Sequence, residues 1–137
     1  MTYLVDANVP SEATKPQPIA ALVDWLRANA RQIAIDPIVL GEIRFGIHMI
    51  PASARRRRLE QRFHQGVAKI RCVPWQAATG LRWAKLLAEL RAAGKSMPAK
   101  DSLMAATALV HGMTVVTRNQ RGFINAGVKV VDPFNGL

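Results

Sequence analysis

Residues 96–123, Ser-Met-Pro-Ala-Lys-Asp-Ser-Leu-Met-Ala-Ala-Thr-Ala-Leu-Val-His-Gly-Met-Thr-Val-Val-Thr-Arg-Asn-Gln-Arg-Gly-Phe, read as helix, turn, strand and loop in succession. Pro98 suits a first helical turn, where a missing N–H is no loss, and Gly112 suits the stop after His111. Met113 to Val116 follows as a short buried strand. Asp101 breaks the pattern. Met104 and Ala105 lie three and four residues after it, Ala108 and Leu109 seven and eight after it, so the carboxylate shares the apolar stripe. One explanation is local: an acid in a first turn stabilises the helix's positive end by about 0.3–1 kcal/mol. The other is functional, because a charge on a packing face needs a cation.

On the N-terminal side, Thr2-Tyr-Leu-Val has the composition of a strand and sets Asp6 at its carboxyl end. In open parallel sheets that edge is where ligands bind. The three prolines between Pro10 and Pro18 indicate a loop, which feeds a helix over residues 19–30 with Ala21, Leu22, Trp25 and Leu26 at helical spacing. Ile33-Ala-Ile is a second strand. Asp36-Pro37 then supplies an N-cap and a first-turn proline for a helix running to about residue 50. Glu42 stands four residues after Ile38 and three after Val39, with Ile43, Gly46 and Ile47 completing that face. It is either a second misplaced carboxylate or one half of a partly buried ion pair with an arginine.

Pro51 stops that helix, and the next carries Arg55, Arg56, Arg57 and Arg58 before ending at Gly66. Four consecutive arginines point around more than one face; they are either solvated or contacts for a polyanion. Lys69 to Val73 is a third strand, Pro74-Trp75 leads into a long helix to Ala93, and Val128 to Val131 is the last strand. Trp75, Trp83, Leu86, Leu87 and Leu90 are packing positions in this reading. Strands alternating with helices predict an α/β sandwich around a mostly parallel sheet with right-handed crossovers.

The chain has 137 residues, half of them apolar, which is the size of one domain able to bury a core without staples. Nineteen basic residues against nine acidic give a formal charge of +10, which favours a polyanionic partner, nucleic acid first. A membrane role is disfavoured, since no run of about 18 apolar residues and no basic-then-apolar leader is present. Cys72 is the one cysteine; it reads as a small apolar strand residue, and a cytoplasmic setting is expected.

Of the nine acids, Asp6, Glu42 and Asp101 occupy positions that should be apolar or at the sheet's ligand edge. Gathering three like charges in a partly dry place is unfavourable unless they protonate or a cation neutralises them. A hard divalent ion, Mg²⁺ or alternatively Mn²⁺, suits an all-oxygen donor set. Zinc does not fit, because His48, His64 and His111 are scattered without ligand spacing. An acidic metal site in a strongly basic chain points to hydrolysis of a phosphodiester.

Four segments together resemble the PIN-domain ribonucleases, specifically the VapC-type toxins of bacterial toxin–antitoxin pairs in their FitB-like branch. They are Tyr-Leu-Val-Asp6-Ala-Asn8-Val, Val-Leu-Gly-Glu42-Ile-Arg-Phe-Gly-Ile, Pro98-Ala-Lys-Asp101-Ser-Leu-Met-Ala-Ala-Thr-Ala, and Thr-Val-Val-Thr117-Arg-Asn119 with the trailing Phe123. The resemblance spans essentially the whole chain. It implies a PIN-like three-layer sandwich over residues 1–137 and a Mg²⁺-dependent endoribonuclease cutting structured RNA such as tRNA or rRNA. It also implies inhibition by a cognate antitoxin and a homodimeric habit. Carried over residue by residue, it makes Asp6, Asp101 and Glu42 metal ligands, with Asn119 joining them in catalysis and Asn8 and Thr117 supporting the carboxylates. Arg118 and the Arg55–Arg58 run become candidate RNA contacts. Related chains often carry a fourth acid in the last segment, where this one has Asn119 and Gly122, so one well-held ion is expected. A competing reading is a basic RNA-binding module whose acidic pocket receives a partner protein. An aspartyl-phosphate hydrolase would want a second acid after the first strand, which Asp6-Ala-Asn8 lacks.

Overall fold

A computed structural model describes residues 2–135 and shows five parallel strands in the order β3-β2-β1-β4-β5. β1 (Tyr3–Val5) and β4 (Thr114–Val116) lie at the centre, where Leu4, Val5, Val115 and Val116 are almost wholly shielded from water. Their unbroken apolar runs are what a strand covered on both faces requires. Burying each such side chain contributes about 1.5–3 kcal/mol. β2 (Ile33–Ile35) flanks β1 in the register Tyr3↔Ile33, and the two-residue strands β3 (Arg71–Cys72) and β5 (Val130–Val131) close the edges. Short edges leave little exposed ladder for unwanted pairing.

The helices are α1 (Asn8–Ala13), α2 (Ala20–Ala28), α3 (Pro37–His48), α4 (Ala54–Gln65), α5 (Ala77–Ala92) and α6 (Ala99–His111). α6 packs along α5, buries Met104, Ala105 and Ala108, and ends at Gly112 with φ 63°. That left-handed conformation suits a residue without Cβ. Across the pair, the Trp83 indole donates to Ser102 Oγ at 3.0 Å, and Ser102 donates to the Ala99 carbonyl at 2.6 Å.

Four expectations need correction. The segment after Asp6 is helical before it becomes a loop, since Pro10 falls in the first turn of α1 and forfeits no internal bond there. The edge strands are shorter than their apolar runs suggest, and Val67–Lys69 forms a 3-10 turn. Leu87 lies 37 % exposed, because α5 turns Leu86 and Leu90 inward instead. Trp75 and Trp83 are half-buried and lie outside the core cluster.

Chain order creates a crevice. After β1 the chain builds outward through β2 and β3, then returns to lay β4 on the other side of β1. The strand order therefore reverses between β1 and β4, the place where open α/β sheets form their ligand crevice. Asp6 and Thr117 sit at its lip.

Asp36, fully buried beyond β2, caps α3 by accepting from the Val39 N–H at 2.9 Å, and it also accepts from the Thr107 hydroxyl at 3.4 Å. Burial pushes its carboxyl above the usual range, and the bonds from Val39 and Thr107 pull it only partly back. A raised folded-state pKa gives a contribution that is complete below the unfolded value and lost as pH rises through the folded one. Asp36→Asn, which keeps a capping oxygen and cannot ionise, should therefore melt above the parent at pH 8. Thermal melts at stepped pH should show the gap closing toward about pH 4, the ordinary Asp value.

Candidate active site

Asp6 leaves β1 5 % exposed, with every oxygen engaged. Oδ1 accepts from the Ala7 N–H at 2.8 Å, and Oδ2 accepts from the Thr117 hydroxyl at 2.8 Å and from Asn8 Nδ2 at 3.4 Å. Thr117, itself fully buried, gives its one proton to Asp6 and accepts at the same oxygen from Asn8 Nδ2 (3.1 Å) and the Asn119 N–H (3.0 Å). A hydroxyl has one donor and two acceptor positions, so Thr117 is saturated. Its place is to hold Asp6, with no capacity left for substrate. Asn8 ties the two chain ends of the crevice together by also accepting from the Arg118 N–H at 3.1 Å.

Asp101 enters from the first turn of α6 and is 4 % exposed. Burial raises its carboxyl above the usual range; the charges of Asp6 and Glu42 add to this, and that of Lys100 opposes it. No hydrogen bond contributes. Glu42 reaches the same place from α3, at the rim, its side chain 34 % exposed. The ion-pair reading of Glu42 was right in kind but not in partner: Lys100, and no arginine, lies against its Oε2. Glu42 Oε2 is buried, and the Lys100 ammonium is its partner.

Asp6, Glu42 and Asp101 thus fall within one electrostatic neighbourhood, as their positions in the chain suggested. Among the described residues, however, no three Asp, Glu, His or Cys side chains stand ready as a metal cage. Three carboxylates, with no hydrogen-bond donor to Asp101 among the described residues, still give an all-oxygen set that fits a hard divalent cation. Lys100 is the residue that sequence reasoning passed over. A legible signal existed: a lysine in a first helical turn opposes the helix dipole and needs an anion nearby.

Gly122 belongs to this pocket for a steric reason. A Cβ there would stand 2.3 Å from Asp101 Oδ2 and 2.9 Å from Asn119 Nδ2. The missing fourth acid is therefore a close approach of backbone to Asp101, with the Asn119 amide on the same small space.

The arginine run divides. Arg56 bonds Glu60 Oε1 at 2.9 Å and the Ile50 carbonyl at 3.4 Å, and so is structural. Arg55 and Arg58 line a cleft of about 380 Å³ with Lys15 and Arg62, over an apolar floor of Ile43, Ile47 and Leu59. Arg57 is exposed. Arg118 lies 3.9 Å over the Phe134 ring, which holds its side chain against the C-terminal turn. A larger cleft of about 610 Å³ lies away from the acids and is mostly apolar, lined by Val5, Leu26, Ile33, Val67 and Ile70.

A family model described as PIN domain matches residues 3–129. The chain is 33 % identical over 135 residues to the plasmid stability protein StbB of Pseudomonas syringae pv. tomato, covering 96 % of this chain and 97 % of that one. It is 31 % identical over 135 residues to the VapC ribonuclease Y4jK of Sinorhizobium fredii, covering 96 % of each. With the toxin FitB of Neisseria gonorrhoeae it shares 29 % identity over 136 residues, covering 96 % and 98 %. The solved structure of FitAB bound to an IR36 DNA fragment superposes with a TM-score of 0.89 at 30 % identity, over 97 % of this chain and 96 % of that one.

Gly122→Ala should displace the Asp101 carboxyl, since only the end of a short side chain stands in the way of the new methyl. The expected outcome is a melting temperature close to the parent's and a Mn²⁺ affinity about 10- to 100-fold weaker by calorimetry, the scale of a disturbed ligand support.

Proposed function

This chain belongs to the PIN-domain family, and from that premise we propose that it is a divalent-metal-dependent endoribonuclease, the toxin of a toxin–antitoxin pair, acting on structured RNA such as tRNA or rRNA. One observation carries the reading: Asp6 and Asp101, both nearly shielded from water, lie within electrostatic range of each other and of Glu42. Relatives named VapC ribonuclease and toxin FitB support the activity and the toxin role. Likeness to FitAB supports a protein antitoxin as partner.

Asp6, Asp101 and Glu42 would hold Mg²⁺ or Mn²⁺. Bound there, such an ion supplies a Lewis acid that polarises a phosphodiester and lowers the pKa of an attached water. The chain's own contribution is placement. Thr117 and Asn8 fix the Asp6 carboxylate, so it does not have to reorganise when charge develops beside it. Asn119 offers a neutral amide beside Asp101 that can orient water or a substrate oxygen without adding negative charge. Arg55 and Arg58 give a strand of RNA two cations at the cleft, beside Arg62 bound to the Thr14 carbonyl and Lys15 paired with Glu12, and each phosphate contact steepens the salt dependence of binding. Arg118, stacked on Phe134, serves the fold more than the substrate.

Phe45 on α3, Met49 just after it and Leu81 on α5, each more than half exposed, are apolar side chains that a second copy could cover, which supports a homodimer. No helix of the described residues is long and apolar enough to cross a membrane; a cytoplasmic site of action is part of the proposal. A second reading, a catalytically weak RNA-binding module whose acidic pocket receives a partner protein, is favoured by Gly122 in the fourth-acid position and by the absence of a ready-made three-ligand cage among the described residues.

Purified protein incubated with total bacterial RNA should produce new 5′ ends with Mg²⁺ or Mn²⁺ and none with chelator. Asp6→Asn and Asp101→Asn should each lower the rate at least about 100-fold, the size of a lost electrostatic group in a catalytic site, with unchanged circular dichroism. RNA binding without metal-dependent cleavage would replace this reading with the second.

A further inference from the structure

Lys100 sits in the first turn of α6, beside the buried Asp101 and at the helix end that repels a cation. Its side chain as a whole is 46 % exposed, yet the ammonium reaches across to α3 and lies against Glu42 Oε2. That oxygen is buried, and both the charge and the close approach of the ammonium hold the contact. Asp6 and Asp101 also attract the ammonium. Three carboxylates and one ammonium therefore share a single neighbourhood, and the ammonium lies against the carboxylate at its rim.

We propose that Lys100 is a built-in counterion that occupies the Glu42 arm of the acidic pocket and competes with the divalent ion for that carboxylate. The inference rests on the metal-dependent reading above and adds a competitor inside the chain. Without an ion, the ammonium offsets the repulsion among Asp6, Glu42 and Asp101 that burial intensifies. When an ion arrives, Glu42 can join Asp6 and Asp101 only as Lys100 withdraws, and its partly exposed side chain gives it solvent to withdraw into. The arrangement accounts for the want of a three-ligand cage among the described residues. Glu42 is already engaged.

The test is a double-mutant cycle read by Mn²⁺ calorimetry on the full chain, which apportions an interaction that single changes cannot. Lys100→Met should tighten Mn²⁺ binding by about two- to fivefold, the range for release of one partly exposed ion pair. Lys100→Arg, which keeps the cation, should stay near the parent. Because the competition acts through Glu42, Lys100→Met should have no effect on affinity in a Glu42→Gln background. Melting in chelator provides a second readout: Lys100→Met should melt below the parent, since its carboxylates lose their counterion.

Equal Mn²⁺ affinity of parent and Lys100→Met would overturn this proposal alone. Tightening that persists with Glu42→Gln would overturn it too, because Lys100 would then act by its general field. Binding by neither parent nor Lys100→Met would overturn the metal-dependent reading and this proposal with it.

Discussion

Asp6 and Asp101 repel one another in a pocket with little water, and that repulsion organises the crevice around them. Two ionised carboxylates so placed are unfavourable unless something positive or proton-donating stands beside them. The protein uses both devices unequally. Asp6 is surrounded by donors, from Ala7, Asn8 and Thr117. Asp101 has no such donor among the described residues, and its carboxyl is raised chiefly by burial. One carboxylate is fixed and the other held in an unfavourable state, which is the asymmetry expected of a site completed by something from outside the chain.

The sheet supplies the precision this needs. Thr117 follows β4 directly and Asp6 follows β1 directly, and the two strands pair in register from Tyr3↔Thr114 to Val5↔Val116. Asp6 therefore meets its hydroxyl because the ladder puts it there, and the Asp6 N–H closes the ladder on the Val116 carbonyl at 2.9 Å. Asp101 depends on helix packing instead. Its position follows from the rotation of α6 on the sheet and on α5, locked in part by the Trp83–Ser102 bond.

Much of this could be read from the chain because periodicity is a local property. Asp101 interrupts an apolar stripe, Asp36 precedes a proline, Gly112 follows a histidine, and each signal lies within a few residues of its structural consequence. The parallel sheet followed from strands alternating with helices, although its order did not. What escaped notice depended on distance. The Lys100–Glu42 pair joins helices far apart in sequence, and the approach of Gly122 to Asp101 appears only when a loop is laid against a helix. The placing of Arg55 and Arg58 at a cleft likewise depends on Lys15 and α3 packing beside them, whereas the Arg56–Glu60 pair, four residues apart, was a local signal. Helix α1 was hidden by its proline, a residue that marks helix beginnings as well as loops.

The bond between Thr117 and Asp6 spans 111 positions of the chain. β1 leaves a ribosome long before the partner strand that completes the crevice, and α6 with Asp101 emerges only just before that strand. A nascent chain stalled anywhere earlier presents Asp6 without its hydroxyl support. Synthesis itself thus delays assembly of the crevice: a chain that stops before β4 lacks the Thr117 support of Asp6, and one that stops before α6 lacks Asp101 as well.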